Sequence, residues 1–282
     1  MTRQRDVARE LAALSDIRGI LDAMRNLALL ETRKIERFLS AHQRALRTTT
    51  DALADLVSFY APSPPRPARI PVLVLLGSER GLCGDFNEAL LRAFGERRSA
   101  SAGHPMLIAV GSRLSSRLKG DPRLALSRAG PNIAEDVDAL IPRLARGLED
   151  VLRRGHVARI DLEALSHAPG DGGVKLTSLS SFPQDDLPQP PGNPPRINLP
   201  PAELLSELSE RYLVLRLQDL LYGSLLVENE YRLRHMDAAI RRLDENSMGL
   251  RSKRNRLRQE EITEEIEILM LSAGELRLGG IA

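Results

Sequence analysis

The chain has 282 residues, of which 42% are hydrophobic and 28% charged, and its formal net charge at pH 7 is +2. This composition is typical of a folded, water-soluble protein and excludes an intrinsically disordered chain. An aromatic content of only 3% argues against nucleic-acid binding, and the single cysteine excludes a disulfide framework or a cysteine-rich metal site.

The sequence predicts neither a secretory signal nor a membrane span. Residues 1–10 alternate charges instead of placing a basic patch before an apolar segment. The longest apolar blocks, residues 70–76 and 220–227, are much shorter than the roughly 20 residues that a membrane helix requires. We therefore expect a cytoplasmic protein whose membrane association, if any, depends on partners.

The first predicted element is a long helix from residue 6 to about residue 60. At ~1.5 Å rise per residue it would extend roughly 80 Å, so it must pack on another helix or on a partner. One apolar stripe with steps of three and four residues is typical of a coiled-coil seam, and it consists of Val7, Leu11, Leu14, Ile17, Leu21, Met24 and Ala28.

The middle of the chain changes from helical periodicity to short apolar blocks. The predicted elements are a buried strand at 70–76, a helix at 85–98, a second buried strand at 105–110, a helix at 133–153, and an antiparallel strand pair at 156–168 and 173–182. Pro142 should kink or break the second of these helices. Together they indicate a mixed α/β domain at 68–182, followed by a proline-rich linker at 183–201.

A second long helical stretch runs from residue 202 to about residue 278. Because the two helical stretches flank one compact domain, the simplest arrangement is an antiparallel pair. The predicted fold is thus α/β, with segments 1–62 and 202–282 forming a long two-helix coiled coil and a Rossmann-like domain inserted between them. A basic run at 251–258 followed by an acidic run at 260–267 indicates a solvated helix face rather than a nucleic-acid site.

The loop after the first strand, residues 77–85, does not predict a nucleotide site. It matches neither the dinucleotide fingerprint nor a phosphate loop, and Glu79 and Asp85 would repel a phosphate. Cys83 could be a low-pKa thiol at a helix N-terminus, but a small buried packing residue is the favoured interpretation. With no histidine pair at metal-ligand spacing, the sequence predicts no catalytic set, no metal and no cofactor.

Two segments resemble signatures of the gamma subunit of F-type ATP synthases. Residues 78–87, SERGLCGDFN, resemble its S-D-R-G-L-C-G-G-L-N motif, and residues 254–266, RNRLRQEEITEEI, are similar to its N-x-x-R-Q-x-x-I-T-x-E-L/I motif. Weaker similarities occur at 22–34 and at 228–237, so the resemblance spans residues 17–274. Asp85 in place of a glycine, the different sequence at 196–200 and the bulkier segment 266–276 fit a divergent branch, such as an alternative F-type ATPase of bacteria.

The resemblance implies a rotor that makes no bonds itself. In this family the two terminal helices form a shaft inside a ring of catalytic and noncatalytic subunits, and the middle domain contacts the epsilon subunit and the membrane ring. One copy per complex would lie at the cytoplasmic face of the bacterial inner membrane as a peripheral subunit. By motif match, the expected head contacts are Arg258, Gln259, Met24, Arg25, Arg254, Ile262 and Thr263, and the motif loop contributes Arg80, Gly81, Leu82, Cys83, Gly84 and Asn87.

Two other classes of function remain open at this point. A free-standing coiled-coil interaction protein would be stable alone as a self-associating rod, whereas a shaft subunit should expose its apolar stripe and be poorly soluble. An enzyme or sensor that uses Cys83 would need a concave site lined by titratable groups with shifted pKa values.

Overall fold

The computed structural model describes residues 2–60, 70–100, 105–154, 160–170, 173–179 and 194–278. Its elements, in chain order, are α1 (Thr2–Tyr60), β1 (Ile70–Leu76), α2 (Phe86–Ala100), β2 (Met106–Val110), α3 (Ser112–Arg117), β3 (Leu124–Arg128), α4 (Asp136–Arg154), β4 (Ile160–His167), β5 (Val174–Ser178) and α5 (Pro201–Leu278). Most of the predicted linker, namely residues 183–193, lies outside the described residues, as do residues 156–159 and 180–182 of the predicted strand pair. None of the helices in the described part of the chain has the length and apolar content of a membrane span.

The five strands form one sheet in the order β3-β2-β1-β4-β5. The first four run parallel, and only β5 is antiparallel, to β4. The chain therefore moves from β1 outward through β2 and β3, then returns to the other side of β1 at β4. This reversal places a topological switch point at the carboxyl ends of β1 and β4, where sheets of this type commonly bind ligands.

Both faces of the sheet are covered, because successive strand residues point to opposite sides. Val72, Val74 and Leu76 of β1 face the cluster that includes α1, α4 and α5. Leu73 and Leu75 face the cluster formed with α2 and α3. A parallel strand buried on both faces has a continuous apolar sequence, and this is the pattern that predicted β1 and β2.

The predicted α/β architecture is confirmed, with two additions. The predicted strand pair is present as β4 and β5, and Ala168 N–H donates to Gly173 O across the intervening turn at 3.0 Å. Helix α3 and strand β3 were not predicted. Of the two outcomes predicted for Pro142, a kink or a break, the break is wrong, because α4 runs through Pro142 without interruption; the kink stays a prediction.

The chain divides into two compact units, of which the first comprises Met1–Leu27 and Arg234–Ala282. Here α1 and α5 are antiparallel, since Arg18 pairs with Asp244 at 2.7 Å and Arg25 pairs with Asp237 at 3.1 Å. The predicted stripe is confirmed except at Ile17, which is 47% exposed. In a seven-residue repeat that contains Val7, Leu11 and Leu14, the next position facing the partner helix is 18 rather than 17, which explains why Ile17 is exposed.

The second unit is Ala28–Leu233. In it the later part of α1 packs on the early part of α5 through a cluster of Leu46, Leu53, Tyr212 and Leu215. His42 Nε2 also lies 2.8 Å from Leu215 O. At the start of α4, Lys34 of α1 forms an ion pair with Glu135, so all three helices are fixed over one face of the sheet.

Candidate functional site

The motif loop, residues 77–85, follows β1 at the switch point and is tied together internally. Ser78 N–H donates to Asn87 Oδ1 at 3.0 Å, and Asn87 Nδ2 donates to Ser78 Oγ at 2.7 Å. Both residues are buried. The side chain of Asn87, in the first turn of α2, thus closes the loop on itself.

Two residues with positive φ angles shape the motif loop. Leu82 has φ 63° and Gly84 has φ 56°. Glycine adopts this left-handed conformation without a side-chain clash, which explains Gly84. Leucine rarely does, so the surroundings of Leu82 must hold it there. Gly81 lies beside the Arg113 guanidinium, where a methyl group would come within 3.4 Å of Nη2.

Cys83 is a buried packing residue, as the favoured interpretation predicted. Its side chain is buried against Phe86 and Val227, and its Sγ lies 3.3 Å from Ser78 Oγ. Burial raises the pKa of the Cys83 thiol above its ordinary value. An activated thiol needs a lowered pKa, so the interpretation of Cys83 as a reactive group is wrong.

The Glu79 carboxylate binds the backbone of the two loops that follow β2 and β3. Its carboxylate accepts hydrogen bonds from Ser112 N–H at 2.8 Å, Ser112 Oγ at 2.6 Å and Gly130 N–H at 2.7 Å. The adjacent Arg80 donates from Nε to Asn132 Oδ1 at 2.8 Å. In a nucleotide site, N–H and hydroxyl donors at this edge of the sheet would be available to a phosphate. Here the chain's own carboxylate occupies them.

Helix α5 brings a second carboxylate to the motif loop. The Glu228 side chain is buried, and the backbone N–H groups of Glu79 and Arg80 act to lower the pKa of its carboxyl. It also forms an ion pair with Arg232, one turn further along α5. Burial raises the pKa of the Glu228 carboxyl, and the Arg232 charge opposes that shift.

Arg232 reaches the opposite side of the motif loop. Its guanidinium donates to Asn229 Oδ1 at 2.7 Å and, from Nε, to Gly81 O at 3.4 Å. Asn229 Nδ2 in turn donates to Leu225 O at 3.0 Å. The loop and α5 are thus joined by a connected set of buried polar groups, in which each charge has partners.

An aromatic cluster lies beneath this polar contact. The rings of Phe86 and His167 stack with centroids 4.0 Å apart, and Tyr231 of α5 meets the Phe86 ring edge-on at 5.6 Å. His167 Nε2 lies 2.9 Å from Phe86 O. Burial lowers the pKa of His167, although the bond to Phe86 O and the Asp85 charge oppose the shift.

This depressed pKa predicts a loss of stability in acid. The unfolded chain takes up a proton near the ordinary histidine pKa of about 6.5, whereas the folded chain resists it until lower pH. Stability from His167 is therefore present above about pH 6.5 and falls below it, at a rate approaching about 1.4 kcal/mol per pH unit.

Urea unfolding of the wild type and of His167→Phe at pH 7.5 and pH 5.5 checks this expectation. The variant keeps the ring contact with Phe86 but cannot titrate. We expect the wild type to lose more stability than the variant between the two pH values. Equal losses would contradict the assignment of a neutral, buried His167.

The predicted head contacts on α5 lie on exposed surface. Arg254, Arg258, Gln259 and Thr263 are all exposed, and Ile262 is 46% exposed. A spacing of four residues places Arg254, Arg258 and Ile262 along one side of the helix. Further exposed apolar residues follow at Ile266, Ile268, Leu269 and Met270. Such an exposed apolar surface is typical of a protein interface.

The predicted head contacts on α1 are less exposed than those on α5. Met24 and Arg25 are half-buried, and Arg25 is paired with Asp237 at 3.1 Å and with Asp22 at 3.7 Å. The guanidinium thus helps to join α1 to α5. Sequence reasoning did not assign Glu79, His167, Glu228 or Arg232 to a site, although segment 228–237 had a recognisable, weaker similarity.

The family model described as ATP synthase matches residues 3–270 of this chain. The chain belongs to the ATP synthase family. An ATP synthase gamma chain of Clostridium acetobutylicum is 25% identical over 96% of this chain and 97% of its own length. An ATP synthase gamma chain of Chlorobium luteolum is 26% identical over 73% of each chain.

Solved structures of this family have the same fold. A chain of the Euglena gracilis mitochondrial ATP synthase, in a structure of OSCP, F1 and c-ring, has a TM-score of 0.67 at 12% identity and covers 100% of this chain and 97% of its own. A chain of the Tetrahymena thermophila mitochondrial ATP synthase central stalk and c-ring has a TM-score of 0.56 at 15% identity, covering 78% and 99%. Membership of this family disfavours the free-standing interaction protein.

Proposed function

We propose that this chain is the gamma subunit of an F-type ATP synthase, the rotor shaft that couples ion flow through a membrane ring to ATP synthesis or hydrolysis in a catalytic head. The observation that carries the proposal is the family match across residues 3–270. Relatives named gamma chain align over nearly the same length, and chains of mitochondrial rotor and stalk structures have the same fold. The subunit is noncatalytic, because ATP chemistry occurs on partner subunits.

The exposed face of α5 suits the role of a shaft. Arg258 and Gln259 offer a guanidinium fork and an amide to a loop of a surrounding subunit, and Ile262 adds apolar contact beside them. Because this face occupies one side of the helix, it contacts equivalent neighbours unequally. A ligand or subunit that interacts differently with two states shifts their populations, and this is how a turning shaft would alternate the catalytic sites.

The proposed partners are the catalytic and noncatalytic head subunits, an epsilon subunit and the subunits of the membrane ring. One copy per complex would lie at the cytoplasmic face of the bacterial inner membrane. In domain terms, segments 1–62 and 202–282 would form the shaft, 68–182 the foot and 183–201 the linker. Gamma chains from two bacteria are among the relatives that support this assignment.

Removing the proposed head contact should slow ATP turnover in the assembled complex. We expect Arg258→Ala combined with Gln259→Ala to lower turnover by about threefold to tenfold, the scale of one or two hydrogen bonds at about 0.5–1.5 kcal/mol each. Both residues are exposed in the chain, so the substitution should leave its fold intact. The measurement is ATP hydrolysis by complex purified through a tag on this chain after co-expression with the neighbouring genes' products.

Lys253→Ala is the matched control, because Lys253 is exposed and lies on a side of α5 away from both Arg258 and Gln259. Its complex should turn over like the wild type. An equal loss in both variants would contradict a specific role of Arg258 and Gln259. Purification of the wild-type chain alone, as a soluble oligomer without ATPase subunits, would instead favour the coiled-coil interaction protein.

A further inference from the structure

A polar cavity of about 170 Å³ lies at the carboxyl end of β4, one of the two strands at the switch point. Its volume is several times the roughly 30 Å³ that one water molecule occupies in the liquid. Sheets of this topology commonly bind ligands at this place. Since Glu79 already occupies the donors beside the end of β1, a ligand at the switch point is expected at the end of β4.

Four elements each present one side to the cavity. On α1 and α5 the lining residues recur at helical spacing, so they share one side of each helix. On β5 they are two residues apart and share one face of the sheet, and Lys175 there is the register partner of Ser166 on β4. Gln43, Ser166 and Thr177 supply neutral polar groups to the cavity.

Three residues that line the cavity each have a buried polar atom without a hydrogen-bond partner. In the part of the chain that the structure describes, four side-chain atoms are of this kind, and three of them are His167 Nδ1, Arg216 Nε and Asp219 Oδ1. Native proteins leave few buried polar atoms unpaired. Their concentration around one cavity indicates a binding site, because a ligand there would supply the partners.

The hydrogen-bonding character of these atoms restricts the ligand. His167 Nε2 lies 2.9 Å from Phe86 O, which can only accept, so Nε2 carries the hydrogen and Nδ1 of the neutral ring is an acceptor. Burial, which lowers the pKa of His167, keeps the ring neutral. Asp219 Oδ1 is a second acceptor, whereas Arg216 Nε is a donor. The ligand must therefore offer both a hydrogen-bond donor and an acceptor.

The charges around the cavity favour an anion. Lys175 and Arg216 are cations, Asp219 is an anion and His167 is neutral, so the net charge of the lining is positive. Arg216 Nη1 lies 3.4 Å from Asp219 Oδ2, which leaves Nε and Oδ1 for a ligand. A phosphate that keeps a hydroxyl group meets both requirements, since its charged oxygens accept and its hydroxyl donates. Sulfate has no such hydroxyl at neutral pH.

We propose that this cavity binds a protonated phosphate group, with Lys175 and Arg216 holding its charged oxygens and Asp219 or His167 accepting from its hydroxyl. Small rotations of the Arg216 and Asp219 side chains, which are common when a ligand binds, complete these contacts. The site consists of residues of this chain alone and does not depend on the rotor function.

Equilibrium dialysis of the full-length chain against radiolabelled phosphate at neutral pH, with sulfate as competitor, tests the proposal. We expect phosphate to bind at least about tenfold more tightly than sulfate, which would place a charged oxygen against the Asp219 carboxylate. In Asp219→Asn the amide can donate, so phosphate affinity should fall about tenfold and the preference over sulfate should disappear. Asp51→Asn makes the same change at an exposed position of α1 and should bind like the wild type.

Two results would overturn the proposal. No binding of phosphate at about 10 mM would show that the cavity holds water only. Equal affinities for phosphate and sulfate, or equal phosphate affinities of the wild type and Asp219→Asn, would show an unspecific attraction of anions.

A second variant serves if Asp219→Asn does not fold, as judged by circular dichroism. Arg216→Lys keeps the positive charge but removes the guanidinium Nε donor, so we expect weaker phosphate binding, and unchanged binding would contradict the proposal. Competition by glycerol phosphate identifies the source of the phosphate group. Displacement as strong as that by inorganic phosphate supports a phosphate ester as the ligand, and weaker displacement supports free phosphate.

Discussion

Replacing Gly111 with alanine is expected to prevent stable folding of the α/β domain. Gly111 lies between β2 and α3 with φ +109°, and a methyl group there would lie 2.5 Å from Gly77 O and 2.7 Å from Ser78 O. Both neighbours are backbone atoms at the start of the motif loop and cannot move independently. The strain of the left-handed conformation adds about 1–2 kcal/mol, so we expect a total loss of about 4 kcal/mol or more. Urea unfolding followed by circular dichroism measures it.

Gly120→Ala is the control that separates backbone strain from steric collision. Gly120 also has a positive φ, +96°, but no atom lies within 4 Å of the position of its missing methyl group. We expect a loss of only about 1 kcal/mol, from the backbone alone. Equal losses at the two glycines would show that the close approach of the loops is unimportant.

Replacing Phe86 with alanine is expected to cost about 3–5 kcal/mol, the range for a buried aromatic residue that leaves a cavity. The side chain is completely buried, and its ring lies between the His167 ring, at 4.0 Å, and the Tyr231 ring, at 5.6 Å. The cavity would open directly beneath the contact between the motif loop and α5. A lower urea midpoint at unchanged m-value is the expected observation.

Phe38→Ala is the matched aromatic control. Phe38 stacks on Tyr222 with centroids 6.1 Å apart but is 42% exposed. Its removal should cost less than about 1.5 kcal/mol, because little apolar area returns to water. If Phe38→Ala destabilised the chain as much as Phe86→Ala, the aromatic cluster would have no special part in the core.

The elements that the sequence predicted are those with a strong apolar pattern, either periodic or continuous. Strands β1 and β2 are buried on both faces, so their uninterrupted apolar runs were unmistakable. Strand β3 was missed because it lies at the edge of the sheet and its five residues, LALSR, are only partly apolar. Helix α3 has six residues, SRLSSR, and a single buried one, Leu114, which leaves no amphipathic pattern to detect.

The site was predictable only in part, because some of its residues come from distant parts of the sequence. The motif loop and the exposed residues around Arg258 were found through short local signatures. The partners of the loop, Glu228 and Arg232, lie about 150 residues later in the chain, and no local pattern reports such a pairing. Their charges also predicted the wrong environment, because a glutamate and an arginine one helical turn apart usually form a solvent-exposed pair.

The burial of Cys83 has a practical consequence for observing motion in this protein. It is the chain's single cysteine, its side chain is 5% exposed, and its pKa is raised by burial. Thiol reagents require an accessible thiolate, so they should react slowly with the native chain. A cysteine introduced at an exposed position, such as Lys175→Cys on β5, would then accept a fluorophore or bead selectively. Rotation could be recorded from a single label without first altering the motif loop.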